Sequence, residues 1–152
     1  MIKEFHYSTP DQAVAGIIDR ALLDIDFVKR IFPFNGDLDA LFAEVKKKLI
    51  YTNDPDDVEL IQRPRTLLTR LNELGPPGSG DCDDFSALAV SLAYAYDIPC
   101  IIVLAGRTQR SPVHVYTMLY DRNVDRWRKF DLTAPSMDKS NPYKFEQYIE
   151  VK

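Results

Sequence analysis

The sequence predicts an α+β fold, and three observations carry that prediction. Through the first two-thirds of the chain, apolar residues recur three and four positions apart, as on one face of a helix. The last third changes to short apolar or alternating runs divided by a polar turn, as in strands. The apolar runs and the 152-residue length suit a single domain with a real core, helical to about residue 97 and sheet over about 98–135. Helices first and an antiparallel sheet afterwards is the order of an α+β protein.

The elements follow in order. Thr9-Pro10-Asp11 is a helix start, with Thr9 as N-cap and Pro10 at the first helical position. Val14, Ile17, Ile18, Ala21, Leu22, Ile25 and Val28 continue the period, and Pro33 and Gly36 end the segment. Leu38, Leu41, Phe42, Val45 and Leu49 mark a second helix. Tyr51 to Asp57 reads as a loop and Arg65 to Leu74 as a short helix, stopped by Gly75-Pro76-Pro77-Gly78. A helix from Cys82 to about Tyr96 carries charge only at its start, on Asp83 and Asp84, so it is expected at the centre, covered on more than one side. Ile98–Ala105, Val113–Tyr120 and Arg126–Leu132 are expected strands, and Pro142–Val151 a short helix or an edge strand.

Composition narrows the function. The net charge is −4 with a pI near 5.2, and Lys46-Lys47-Lys48 lies among apolar helical positions, so no nucleic-acid footprint is expected. Nothing resembles a signal peptide or a membrane span, so no membrane partner is expected. Two cysteines are too few for a disulfide scaffold and suit a reducing, cytoplasmic setting. Cys100, inside an apolar run, reads as a small buried hydrophobe.

Cys82 is different. Gly80-Asp81-Cys82-Asp83-Asp84-Phe85-Ser86 puts it where a loop turns into a helix, and peptide N–H groups converging there favour a thiolate. Asp83 and Asp84 oppose that charge. On the second strand His114, Tyr116, Met118 and Tyr120 share a face. If Arg122-Asn123 is a two-residue hairpin loop, His114 stands directly opposite Asp131, with Cβ atoms roughly 5 Å apart. A four-residue loop makes them diagonal neighbours on the same face, and a three-residue loop separates them. The three types suit acyl transfer: cysteine as nucleophile, histidine as base, aspartate as its orienter. The Cys82 peptide N–H is a candidate oxyanion donor, and the Gln62 amide a tentative second one.

Gly80-Asp81-Cys82-Asp83-Asp84-Phe85, then His114, then Asp131-Leu132-Thr133 resembles the transglutaminase-like superfamily of papain-type folds, over roughly Gln62 to Pro135. Leu132 stands where the family often has Pro. The resemblance implies a central cysteine-bearing helix on an antiparallel sheet, an acyl-enzyme intermediate on Cys82 with His114 and Asp131 as partners, and no metal or organic cofactor. The substrate implied is a peptide or protein amide, hydrolysed or transferred. The most similar members are small stand-alone microbial and bacteriophage proteins, so a phage-encoded, virion-associated setting is a further expectation. The alternative is a catalytically silent binding or assembly protein on the same fold.

Overall fold

The computed structural model describes residues 10–52, 61–69, 75–108, 112–140 and 143–152. The expected Thr9 cap lies outside them. Among the described residues, five helices precede and flank a four-stranded sheet: α1 Pro10–Leu22, α2 Ile25–Ile31, α3 Leu38–Lys46, α4 Pro64–Thr69 and α5 Cys82–Ala95. The sheet holds β3 Cys100–Gly106, β4 Pro112–Asp121, β5 Arg126–Phe130 and β6 Phe145–Val151, all antiparallel, in the order β5-β4-β3-β6. The α+β reading is therefore what the chain does. Among the described residues no helix is long and apolar enough to cross a membrane.

α5 is the axis of the molecule. Its residues from Cys82 to Ala93 are all buried, because α1 and α2 pack on one side and β4 on the other. One core runs from Ile17, Val28 and Phe42 through Leu88 and Leu92 to Ile102, Leu119 and Phe130. A smaller cluster on the opposite sheet face holds Val103, Ala105 and Tyr116, with Tyr143 packed against it.

Several element bounds differ from expectation, each for a tertiary reason. The expected first helix is two. At the break, Asp24 is buried and its carboxylate takes both Arg63 Nε and Nη2, at 2.9 and 2.6 Å, and the peptide N–H of Arg65. Burial pushes that carboxyl up, but Arg63 and the Arg65 N–H outweigh it and hold it below the ordinary range. α3 ends at Lys46, and Ile50–Tyr51, expected in or beside a loop, form a two-residue strand β1 parallel to β2 Ser79–Gly80. Residues 53–60 of the expected loop and 70–74 of the expected short helix lie outside the described set. The C-terminal segment is an edge strand.

The β4–β5 hairpin pairs Asp121 with Arg126 and Thr117 with Phe130, so its loop has four residues, not two. Asp121 Oδ1 accepts the Asn123 N–H inside the loop, and Asp125 closes it at φ 52°. Arg128, nearly buried, ties this hairpin to α3 by holding carboxylates of Asp121, Asp39 and Asp138.

Cys100 on β3 is buried, and burial pushes its thiol from 9.0 up to about 12. The folded chain keeps this proton over a range in which the unfolded chain gives it up. Stability is therefore expected to fall as pH rises from about 9 toward about 12, by up to about tenfold in the folding equilibrium per pH unit from this thiol. Urea unfolding across that range should show a shallower alkaline loss in Cys100→Ala than in the parent chain. An identical loss would show that other groups carry it.

Candidate active site

The Gly-Asp-Cys-Asp-Asp run is mostly a device for starting α5. Gly80 is needed for closeness: a Cβ there would sit 2.8 Å from Asp84 Oδ2 and 2.9 Å from Leu67 Cδ1. Asp81 is the N-cap, accepting the N–H groups of Asp83 and Asp84 at 3.2 and 3.4 Å. Asp84 closes a capping box by accepting the Asp81 N–H at 3.0 Å. It also accepts the Gln62 peptide N–H at 2.7 Å and the Gln62 amide at 3.2 Å. The Cys82 N–H, at the first helical position, is not among the groups that Asp81 takes.

The Gln62 amide, expected as a tentative oxyanion donor, is engaged inside the fold. Its side-chain nitrogen donates to Ser79 O at 3.0 Å and to Asp84 Oδ2, both buried contacts. An amide has two N–H donors, and here both contacts brace the loop before α5.

His114 and Asp131 meet. Nε2 of His114 lies 2.8 Å from Asp131 Oδ2, both residues buried. The four-residue loop makes them diagonal, not directly opposed, and parity still places them on one face. β5 ends at Phe130 because Asp131 starts a turn: its Oδ1 accepts Thr133 N at 3.0 Å and Thr133 Oγ1 at 2.6 Å. A carboxylate only accepts, so Nε2 carries a proton, and in the neutral ring the lone pair is the one on Nδ1. Nδ1 is buried and has no hydrogen-bond partner among the described residues. The imidazole stacks with Tyr116 at 5.7 Å and Tyr143 at 5.8 Å between centroids.

Cys82 meets β4 along its open edge at Val115, the residue after His114, and its sulfur has no hydrogen bond to the imidazole among the described residues. Hydrogen-bond direction alternates along a strand. Tyr120 N donates toward the β3 side, to Pro99 O, so the Val115 groups face the β5 side. There β5 has already ended. The helix fills that gap: Ser86 Oγ donates to Val115 O at 3.4 Å, and the Val115 N–H lies against the Cys82 sulfur. The nucleophile candidate thus sits beside the residue that follows His114. Its thiol donates to Asp83 Oδ1 at 3.4 Å.

The expected stabilised thiolate is not what the resting site holds. Burial first, then Asp83 and Asp81, push the Cys82 thiol well up, and only the Val115 N–H pulls the other way. Magnitudes agree: a helix N-terminus contributes about 1 kcal/mol, whereas desolvating an unpaired charge costs several. Tyr51 of β1 stands edge-on to Phe85, 6.2 Å between centroids. Burial, the neighbouring sulfur and the carboxylates of Asp81 and Asp83 push its phenol up.

Sequence reading missed three contributors. Thr133 was detectable, since Asp-x-Thr after a strand is a turn signal. Tyr143 and Lys46 carried no signal. Lys46 Nζ donates to Leu132 O at 2.9 Å, next to Asp131, and burial lowers its pKa against the pull of Asp131. A cleft of about 230 Å³ lies beside the pair, lined by His114, Asp131, Thr133, Ala134, Lys139 and Ser140.

Thr133→Val keeps the shape and the peptide N–H but loses the 2.6 Å hydroxyl bond to Asp131. A hydrogen bond to a charged group contributes about 1.5–3 kcal/mol. Alkylation of Cys82 at neutral pH is expected to slow by about tenfold, and Thr133→Ser to restore it. Unchanged labelling of Thr133→Val would show that the peptide N–H alone holds Asp131.

No family model and no curated protein matches the sequence. One solved structure, described as the crystal structure of a TGase, is similar with a TM-score of 0.39 and 17% identity, over 92% of this chain. The chain spans 36% of the length of that one.

Proposed function

We propose that this protein is a thiol-dependent acyl-transfer enzyme of transglutaminase-like type, acting on a peptide or protein amide. Cys82 is the nucleophile, His114 the base and Asp131 its orienter. The observation that carries the reading is the buried 2.8 Å contact between His114 Nε2 and Asp131, which leaves Nδ1 unpartnered on the strand edge that receives the cysteine.

The steps balance. Nδ1 takes the thiol proton, and Asp131 stabilises the imidazolium through Nε2–H. Sγ bonds to the carbonyl carbon, and the Cys82 N–H at the α5 terminus donates to the oxyanion. The C–N bond breaks as Nδ1 returns its proton to the leaving amine. Water or a second amine then takes the acyl group from sulfur and regenerates the thiol. Hydrolysis is the default outcome, because transfer requires an amine site that excludes water.

A peptide library incubated with the protein and read by mass spectrometry tests this. Amide cleavage, deamidation or amine exchange is expected with the parent chain and absent with Cys82→Ala. Equal turnover by Cys82→Ala would overturn the assignment. A catalytically silent protein used in binding or virion assembly predicts no turnover and slow labelling of Cys82 that is indifferent to His114.

A further inference from the structure

We propose that the cleft beside His114 and Asp131 receives a carboxylate carried by the leaving-amine part of the substrate, held there by Lys129 and Lys139. The acid is the side chain of an acidic residue or the free C-terminus of the leaving fragment. The inference rests on the reading of His114 as the base, and it adds a substrate class to that site.

Placement comes first. The cleft of about 230 Å³ is lined by His114, Asp131 and Thr133, and also by Lys139 and Ser140. It is smaller than the roughly 300–1,000 Å³ of drug-sized pockets and suits a single residue. Lys129 belongs to the same neighbourhood. It lies two residues before Asp131, and side chains two apart along an extended chain share a face. Its ammonium donates to Ser140 Oγ at 3.3 Å and lies over the Tyr116 ring, 6.0 Å from the centroid. That ring stacks on His114. The segment carrying Lys139 is fixed alongside β5: the Asp138 N–H donates to Lys129 O at 3.0 Å, and Arg128 Nη2 donates to Asp138 Oδ2 at 2.8 Å.

Charge comes second. Neither lysine has an ion pair among the described residues. The carboxylates on adjoining residues are engaged elsewhere. Asp131 takes His114 and Thr133, Asp138 takes Arg128, and Glu146 takes the hydroxyls of Tyr116 and Tyr148. In a chain of net charge −4, two ammoniums without a counter-charge therefore stand beside the base.

Chemistry decides which part of the substrate lies there. The base returns its proton to the leaving amine, so the group beside the imidazole belongs to that side of the scissile bond. As the C–N bond breaks, the acyl group stays on sulfur. The amine departs with the proton from Nδ1 and with its own carboxylate unchanged. An exposed ion pair contributes modestly, so two together are worth about tenfold in affinity, less at high salt.

The test has a binding arm and a turnover arm. N-acetylglutamic acid α-amide carries only a side-chain acid, and N-acetylalanine only a terminal one. N-acetylglutamine amide and N-acetylalanine amide are their neutral counterparts. Each is titrated into the protein while the His114 ring signals are followed by NMR. At least one acid is expected to shift those signals saturably and to bind about tenfold more tightly than its neutral counterpart. Which acid does so identifies the source of the carboxylate. Lys129→Gln combined with Lys139→Gln is expected to erase the difference. Equal binding of acid and neutral forms, no binding, or a preference that survives the double substitution overturns the proposal. In turnover, peptides whose leaving fragment carries the acid should be processed about tenfold faster than their amides by the parent chain, and no faster by the double variant. If the acids bind and no peptide is processed, the acyl-transfer reading falls and the carboxylate site stands. If peptides are processed without regard to this charge, the carboxylate site falls and the enzyme reading stands.

Discussion

Asp131→Asn is expected to disable the site almost as fully as His114→Ala, although it changes one atom. The reason lies in Thr133. Its N–H and Oγ1–H both point at Asp131 Oδ1, at 3.0 and 2.6 Å. An asparagine there would place its carbonyl oxygen against these two donors. Its NH₂ would then face His114 Nε2, 2.8 Å away. Two donors cannot face each other, so the ring proton would move to Nδ1, and the lone pair meant for the thiol would be lost. Base catalysis is worth about 10²–10⁴-fold. Turnover is expected to fall by that order in both variants, with thiol alkylation near neutral pH slowed in parallel. Thr133→Val in the Asp131→Asn background frees the amide to flip, and partial rescue by this second change would be a specific signature. If Asp131→Asn labels and turns over like the parent, the orienting role is lost and with it the triad.

The largest expected effect on stability is at Gly78. Its φ is +95°, and a Cβ there would lie 1.8 Å from the carbonyl oxygen of Lys48. That contact is to backbone, so no side chain can swing aside. Gly78 O also accepts the Ile50 N–H at 2.9 Å, the first bond of the β1–β2 pair. Gly78→Ala must therefore strain φ and separate the two segments, at a cost of about 3 kcal/mol or more. Chemical unfolding should show the loss. Because β1 carries Tyr51 beside the thiol, the variant should also label faster at Cys82. Parent-like stability would mean that the close approach of Lys48 to Gly78 does not persist in solution.

Much of this was legible in local order. The α5 helix was readable because nearly every position after its acidic start is apolar, and a segment of that kind has to be buried on all sides. The shared face of His114 and Asp131 was readable because side chains alternate along a strand, which any even-length loop preserves. The loop length was not, since Asp121 caps its own turn and Arg128 holds the hairpin through carboxylates on three other segments. Nor was the break between α1 and α2, which depends on Arg63 lying 39 residues beyond Asp24.

Periodicity, caps and strand parity by themselves determined the class of fold, the place of Cys82 at a helix start and, for any even-length loop, the shared face of His114 and Asp131, because each is a property of neighbours in the chain. Only the tertiary structure decided that Gln62 braces Asp84, that Thr133 aims Asp131, and that the thiol rests on Asp83 with its proton held. Those outcomes depend on what is brought close and what is removed from water, and burial outweighs a helix terminus whenever a charge would be left without a partner.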